Sequence, residues 1–176
     1  MLILHPVEIK DTLATLTILY DSREHETPAL KKRLNATGRP VERVALVSGD
    51  YSCKIVLPDG TGVSLAEKLC VERKLGLQEI SQNFTKHRDR FIREFDRFAA
   101  MGGKPYLLIE NASWEDVINH KYRTQFAPAA FIASLMAWQA RYGTHIIFCK
   151  PETTGYLMER IFYYEVKEML ERGDFG

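Results

Sequence analysis

The chain has 176 residues, 45% hydrophobic and 27% charged, the profile of an ordinary globular protein large enough to bury the core of one domain. Its net charge of +1 excludes a whole-molecule field as the source of attraction to a polyanion, so any grip on phosphate has to come from local patches. No apolar run approaches the ~20 residues that span a bilayer, the N-terminus lacks the basic region of a secretory signal, and Cys53, Cys70 and Cys149 show neither disulfide nor zinc spacing; the expectation is a cytoplasmic protein with no membrane partner.

Residues 1–14 show no clear period and read as a peripheral strand or arm. Thr15 to Tyr20, rich in β-branched and aromatic residues, predicts a buried strand that delivers Asp21 at its C-terminal end. Asp21-Ser22-Arg23-Glu24 then leads to a helix with Thr27 as N-cap and Pro28 in its first turn, running to Ala36 and stopping at Gly38. Val41 to Val47 predicts a second strand ending at Gly49-Asp50. Ser52 to Leu57 and Thr61 to Leu65 form a hairpin around the Pro58-Asp59-Gly60 turn, and Leu69 to Lys74 is the next strand.

Gly76 to about Ala100 reads as one helical stretch, with Phe84, Phe91, Phe95 and Phe98 on a core face. Its interleaved basic and acidic residues, among them Arg88, Arg90, Arg93 and Arg97, have the pattern of i,i+4 ion pairs or of a DNA contact. Tyr106 to Glu110 is a continuous apolar run, as in a strand buried on both faces. Ser113 caps a short helix at Trp114, and His120-Lys121-Tyr122-Arg123 makes a basic and aromatic group in a loop, either an anchored surface turn or a phosphate and base contact. Pro128 to Tyr142 predicts a helix apolar nearly all round and therefore buried, Thr144 to Lys150 the last strand, and Thr153 to Leu170 a final helix with a wide apolar surface.

The chemistry gathers between Asp50 and Lys74. In an extended strand residues i and i+2 share a face, so Glu72 and Lys74 project together while Arg73 turns away. If the strand carrying Asp50 pairs beside them, two carboxylates and an ammonium converge. Hard cations such as Mg²⁺ or Mn²⁺ take one or two protein carboxylates together with substrate phosphate oxygens. A bound ion activates water and offsets phosphate charge, the requirements of phosphodiester hydrolysis.

Asp21-Ser22-Arg23-Glu24, Gly49-Asp50-Tyr51 and Val71-Glu72-Arg73-Lys74, in this order and spacing, resemble the nuclease domain of the XPF and Mus-type structure-specific endonucleases, a branch of the PD-(D/E)XK superfamily. The match continues through Pro105 to Glu110 and covers roughly residues 15–170, with 1–176 expected as a single nuclease domain. The resemblance implies an α/β fold: a central mixed β-sheet flanked by helices, restriction-endonuclease-like. It implies metal-dependent cleavage of DNA, probed best as branched or flap substrates of repair or recombination. Asp21, Glu24, Asp50, Glu72 and Lys74 are the expected catalytic residues, with Asp21, Asp50 and Glu72 as metal ligands for Mg²⁺ or Mn²⁺. Arg23, Arg73 and Arg90 are the expected supports, Arg90 being the basic residue that matches the family by spacing and Arg88 its alternate; Arg88, Arg90, Lys121 and Arg123 are the expected DNA contacts. One position departs: the family's last aspartate falls on Gln78, with Glu79 beside it.

In that family the late elements build a dimer interface, so a homodimer through the C-terminal elements is expected. No helix-hairpin-helix or helicase module is expected within these residues, leaving recognition of branched DNA to the domain, its dimer or a protein partner. The competing reading is a catalytically silent DNA-binding or dimerisation partner, against which stands the retention of Asp21, Glu24, Asp50, Glu72 and Lys74. A phosphatase-like α/β enzyme would need a nucleophile constellation, and no serine, cysteine or histidine arrangement supplies one.

Overall fold

A computed structural model describes residues 4–175. Among them seven strands and seven helices follow the order α1 (Pro6–Ala14), β1 (Thr17–Asp21), α2 (Pro28–Asn35), β2 (Val41–Val44), β3 (Tyr51–Val56), β4 (Gly62–Ser64), β5 (Leu69–Lys74), α3 (Leu77–Phe84), α4 (Arg88–Ala100), β6 (Lys104–Glu110), α5 (Trp114–Ile118), α6 (Pro128–Tyr142), β7 (His145–Cys149) and α7 (Pro151–Arg172).

The strands form one mixed sheet in the order β2-β1-β3-β5-β6-β7, with β4 appended to β3. β1 and β2 are parallel, β3 runs antiparallel to both β1 and β5, and β5, β6 and β7 are parallel. The β3–β5 seam is short: Tyr51 opposite Val71 is its one registered pair. Asp50, one residue before β3, extends that seam by donating its amide to the Val71 carbonyl at 2.9 Å, and the Ser52 hydroxyl donates to the Leu69 carbonyl at 2.7 Å.

Alternation along β6 sorts two cores onto the two sheet faces. Tyr106 and Leu108 pack with α1, α2 and α7 through Leu13, Leu30, Met158, Phe162 and Val166. Leu107 and Ile109 pack with α3, α4 and α6 through Ile80, Phe91, Phe95, Phe131, Leu135 and Trp138. β6 is therefore covered on both sides, which is why its sequence is continuously apolar rather than alternating. Trp138 is fully buried and centres an aromatic cluster, stacked on Phe91 at 5.2 Å and edge-on to Phe84 at 4.9 Å.

Four expectations are corrected. The arm expected over residues 1–14 is a helix from Pro6 onward, with residues 1–3 outside the described part; Pro6 fits its first turn, Glu8 accepts from the His5 amide at 2.7 Å, and Ile9, Thr12 and Leu13 turn inward. The single helix expected over Gly76 to Ala100 is two. Thr85 leaves helical geometry at φ −116°, ψ −86°, while its hydroxyl bonds back to the Ser81 carbonyl at 2.8 Å. The second strand ends at Val44 rather than Val47, because the Leu46 amide donates to the Asp21 carboxylate at 3.2 Å instead of to a ladder. Finally, α6 is buried along one face only: Phe131, Leu135, Trp138 and Tyr142 point inward, and Met136 is 45% exposed on the outside of the helical layer.

Candidate active site

The C-terminal ends of β1 and β5 and the start of β3 lie at one end of the sheet, and a cleft of about 160 Å³ opens there. Asp21, Arg23, Glu24, Asp50, Glu72 and Arg90 all line it. Five of those six positions come from three loops or strand ends separated by up to 51 residues, and only the fold brings them together.

Asp50 is fixed by three backbone links. Its amide donates to Val71, its carbonyl accepts from the Asp21 amide at 2.9 Å, and its Oδ2 accepts from the Arg73 amide at 2.8 Å. Oδ1 takes no hydrogen bond from any described residue and is left to the cleft. Gly49 delivers it there at φ +72°, where a Cβ would stand 2.9 Å from the Cys70 Cβ and 3.0 Å from the Val71 carbonyl. Burial first, and the Glu72 charge second, push the Asp50 carboxyl well above the usual carboxylate range.

Along β5 the alternation acts as expected. Glu72 and Lys74 share one face, with Lys74 Nζ 2.6 Å from Glu72 Oε1 and 3.8 Å from Glu79 Oε1. Lys74 is buried and its ammonium sits 5.4 Å from the centre of the Phe91 ring. Burial by itself would pull its pKa down, but the Glu72, Asp50 and Glu79 carboxylates outweigh it and hold the ammonium charged. Arg73 turns to the opposite face, where both its Nε and Nη2 donate to Glu110 at 2.8 and 2.7 Å. Glu110 also accepts from the Thr154 hydroxyl at 2.6 Å and stands 4.0 Å from the Arg33 guanidinium, whose Nη1 donates to the Tyr51 hydroxyl at 2.8 Å. This buried network under the site escaped the sequence reading, because Glu110 ends an apolar run and nothing local pairs it with Arg73.

The remaining expected residues fall into two groups. Asp21 is engaged: Arg23 donates its amide and Nε to Oδ1 at 2.7 and 2.8 Å, and its Nη2 to Oδ2 at 2.8 Å. Burial raises the Asp21 pKa, and the Arg23 and Leu46 donors more than reverse that, leaving it below its ordinary value. Asp21, Asp50 and Glu72 line the same cleft, with both Asp21 oxygens taken by Arg23, and among the described residues no group of three or more His, Cys, Asp or Glu is arranged to hold an ion. Arg88 points instead to the Phe84 carbonyl and the Trp138 ring, while Lys121 and Arg123 line a second cleft. Gln78, the departing position, accepts from the Arg123 amide at 2.7 Å and faces that second cleft as well.

Two residues of the first cleft were missed. Glu94 and Arg97 lie four and seven residues after Arg90 on α4, so the three share one face, beside the phenylalanine stripe. That spacing was the signal available. Arg97 donates to the Val47 carbonyl at 2.9 Å and Arg90 pairs with Glu94 at 3.3 Å.

Asp50 and Glu72 fit a hard divalent cation. Each keeps an oxygen free of protein donors, and a cation would offset the two largest causes of the raised Asp50 pKa, the burial of its charge and the nearby Glu72 carboxylate.

The model of the ERCC4 domain matches residues 20–160 of the chain. No curated protein matches it significantly. Among solved structures, XPF from Aeropyrum pernix superposes with a TM-score of 0.61 at 20% identity, over 84% of this chain and 65% of that one. XPF from Aeropyrum pernix in complex with DNA does so with a TM-score of 0.61 at 20% identity, over 86% and 66%. The chain thus spans less than two thirds of the length of these structures, and at this identity the likeness establishes the fold: a mixed sheet flanked by helices, restriction-endonuclease-like.

Proposed function

Because the ERCC4 domain accounts for residues 20–160, the chain belongs to the ERCC4-domain family, and from that premise we propose that it is a divalent-metal-dependent endonuclease that hydrolyses phosphodiester bonds in branched or flapped DNA. The observation that carries this reading is that Asp50, one residue before β3, and Glu72 on β5 line one cleft, with the Lys74 ammonium 2.6 Å from Glu72. That the related XPF structure was solved in complex with DNA supports the choice of substrate.

Asp50 Oδ1 and the free Glu72 oxygen would hold Mg²⁺ or Mn²⁺, which when bound activates water and offsets charge on the phosphate. Lys74 spends one proton on Glu72 and keeps its others for a phosphate oxygen or the attacking water. The Glu72, Asp50 and Glu79 carboxylates keep that buried ammonium charged, and the hydrogen bond to Glu72 holds it in place. Arg90 and Arg97 rim the same cleft and are placed to meet neighbouring phosphates. Arg23 secures Asp21, and Asp21 in turn anchors the Leu46 amide, so this pair shapes the cleft wall. The same reading carries a homodimer through α7, which leaves Tyr156 61% and Tyr164 55% exposed.

The test is cleavage of labelled duplex, flap, fork and four-way-junction DNA in Mg²⁺ and Mn²⁺ by the chain and by Asp50→Asn. Metal-dependent cutting, lost by more than about a hundredfold in the variant, is the expected result. Branched DNA bound but never cut would establish a silent DNA-binding partner instead.

A further inference from the structure

A second cleft lies at the same end of the sheet, beyond the C-terminal ends of β5 and β6. It holds about 470 Å³ between the start of α3 and the loop carrying Lys121, Tyr122 and Arg123. A third hollow of about 640 Å³ continues it, sharing Gln82 and Arg123 and reaching Lys86 and Phe126. Together they make one groove. Its inner end is Glu79, whose carboxylate is 3.8 Å from the Lys74 ammonium, so the groove runs outward from the first cleft.

The lining selects a ligand. Lys86 and Arg123 have no acidic partner among the described residues, and such charges suit a polyanionic backbone. Gln82, Gln125 and Asn111 are amides that both donate and accept, which fits base edges, and those edges are free only where a strand is unpaired. Tyr122 and Phe126 add aromatic surface, with the His120 ring tilted against Tyr122 at 4.4 Å between centroids. The wall is also built rather than loose. Gln78 Oε1 takes the Arg123 amide and Thr124 bonds Ser81 at 3.0 Å, tying the loop to α3. The two non-glycine residues with left-handed backbone, Asn111 at φ 52° and His120 at φ 53°, both flank this groove.

We propose that the groove binds the unpaired strand of a branched DNA and leads it away from the first cleft, an inference that rests on the DNA reading above but not on cleavage. Gln78 then serves as a positioning residue for the groove.

The experiment is fluorescence anisotropy in EDTA, where nothing is cut, with labelled oligothymidylate and with blunt duplex, on the full chain and on Lys86→Glu/Arg123→Glu. Single-strand affinity is expected to fall about tenfold or more, and its salt slope by about 1.4 for two lost phosphate contacts, while duplex affinity changes less than about threefold. Equal losses on both ligands, or no loss, would overturn the proposal, as would failure of the full chain to bind oligothymidylate. A second measurement is independent of folding in the variant: iododeoxyuridine-substituted single strand photo-cross-linked to the full chain should label Tyr122 or Phe126, and labels confined elsewhere would sink the idea. Asp50→Asn distinguishes the two readings, since it should lose cleavage and keep single-strand binding within about twofold.

Discussion

Asp50 concentrates the tension between stability and chemistry. Its pKa is raised in the folded state, so the protein binds that proton more tightly than the unfolded chain does. The associated stability is present at pH below the unfolded value and is lost as pH rises through the folded one. Once the pH has risen through that raised folded value, the ion-free protein carries a destabilising charge. Asp50→Asn should then melt higher than the parent in EDTA, by on the order of a few degrees, with a gap that widens by calorimetry as the pH rises through that value. Mg²⁺ at a hundred times its dissociation constant should stabilise the parent by about 2.7 kcal/mol and leave Asp50→Asn unmoved. Gly49→Ala tests the delivery of that carboxylate: a left-handed backbone and a Cβ 2.9 Å from Cys70 should cost roughly 1–3 kcal/mol in urea unfolding. At this scale the sequence was informative where chemistry and spacing coincide, as at Glu72 and Lys74. It named Asp21 and Arg23 as site residues but not the three bonds by which Arg23 occupies both Asp21 oxygens, which depend on a turn geometry that two nearby charges do not announce.

Elements with strong periodicity were readable to the residue. β5 spans Leu69–Lys74 and α6 spans Pro128–Tyr142 as expected, because alternation and an N-terminal proline mark them. α1 was not, since a helix of 9 residues with Ile9, Thr12 and Leu13 as its only buried positions offers too little pattern. The break between α3 and α4 carries neither glycine nor proline; Thr85, bonded back to the Ser81 carbonyl, marks it, and Phe84 and Phe91 on either side both meet Trp138. The Arg73 to Glu110 link is the element-scale counterpart. It joins β5 to β6 and, through Thr154 and Arg33, to α7 and α2. Glu110→Gln leaves two arginines short of a counter-charge in a buried setting and should cost about 3 kcal/mol, read from the urea midpoint.

For the whole molecule, the family match, the mixed sheet and its two helical layers agree with the sequence reading, and no helix among the described residues is long and apolar enough to cross a membrane. The relation of the second cleft to the first was not legible, because Gln78, Lys121 and Arg123 meet only after α3 and the loop before α6 have folded onto the sheet. The exposed tyrosines of α7 lead to a dimeric mass in light scattering at micromolar protein, reduced to a monomer by Tyr156→Glu with Tyr164→Glu. The narrow β3–β5 seam has one more meaning. Its two halves of sheet are joined at that point partly by a side chain, the Asp50 carboxylate that accepts from the Arg73 amide. The Arg73 N–H is therefore a native gauge of the carboxylate's electronic state: as an ion at Oδ1 draws electron density from Asp50, Oδ2 becomes a weaker acceptor and the resonance and solvent exchange of this amide proton shift with occupancy, in the middle of the fold and without a label.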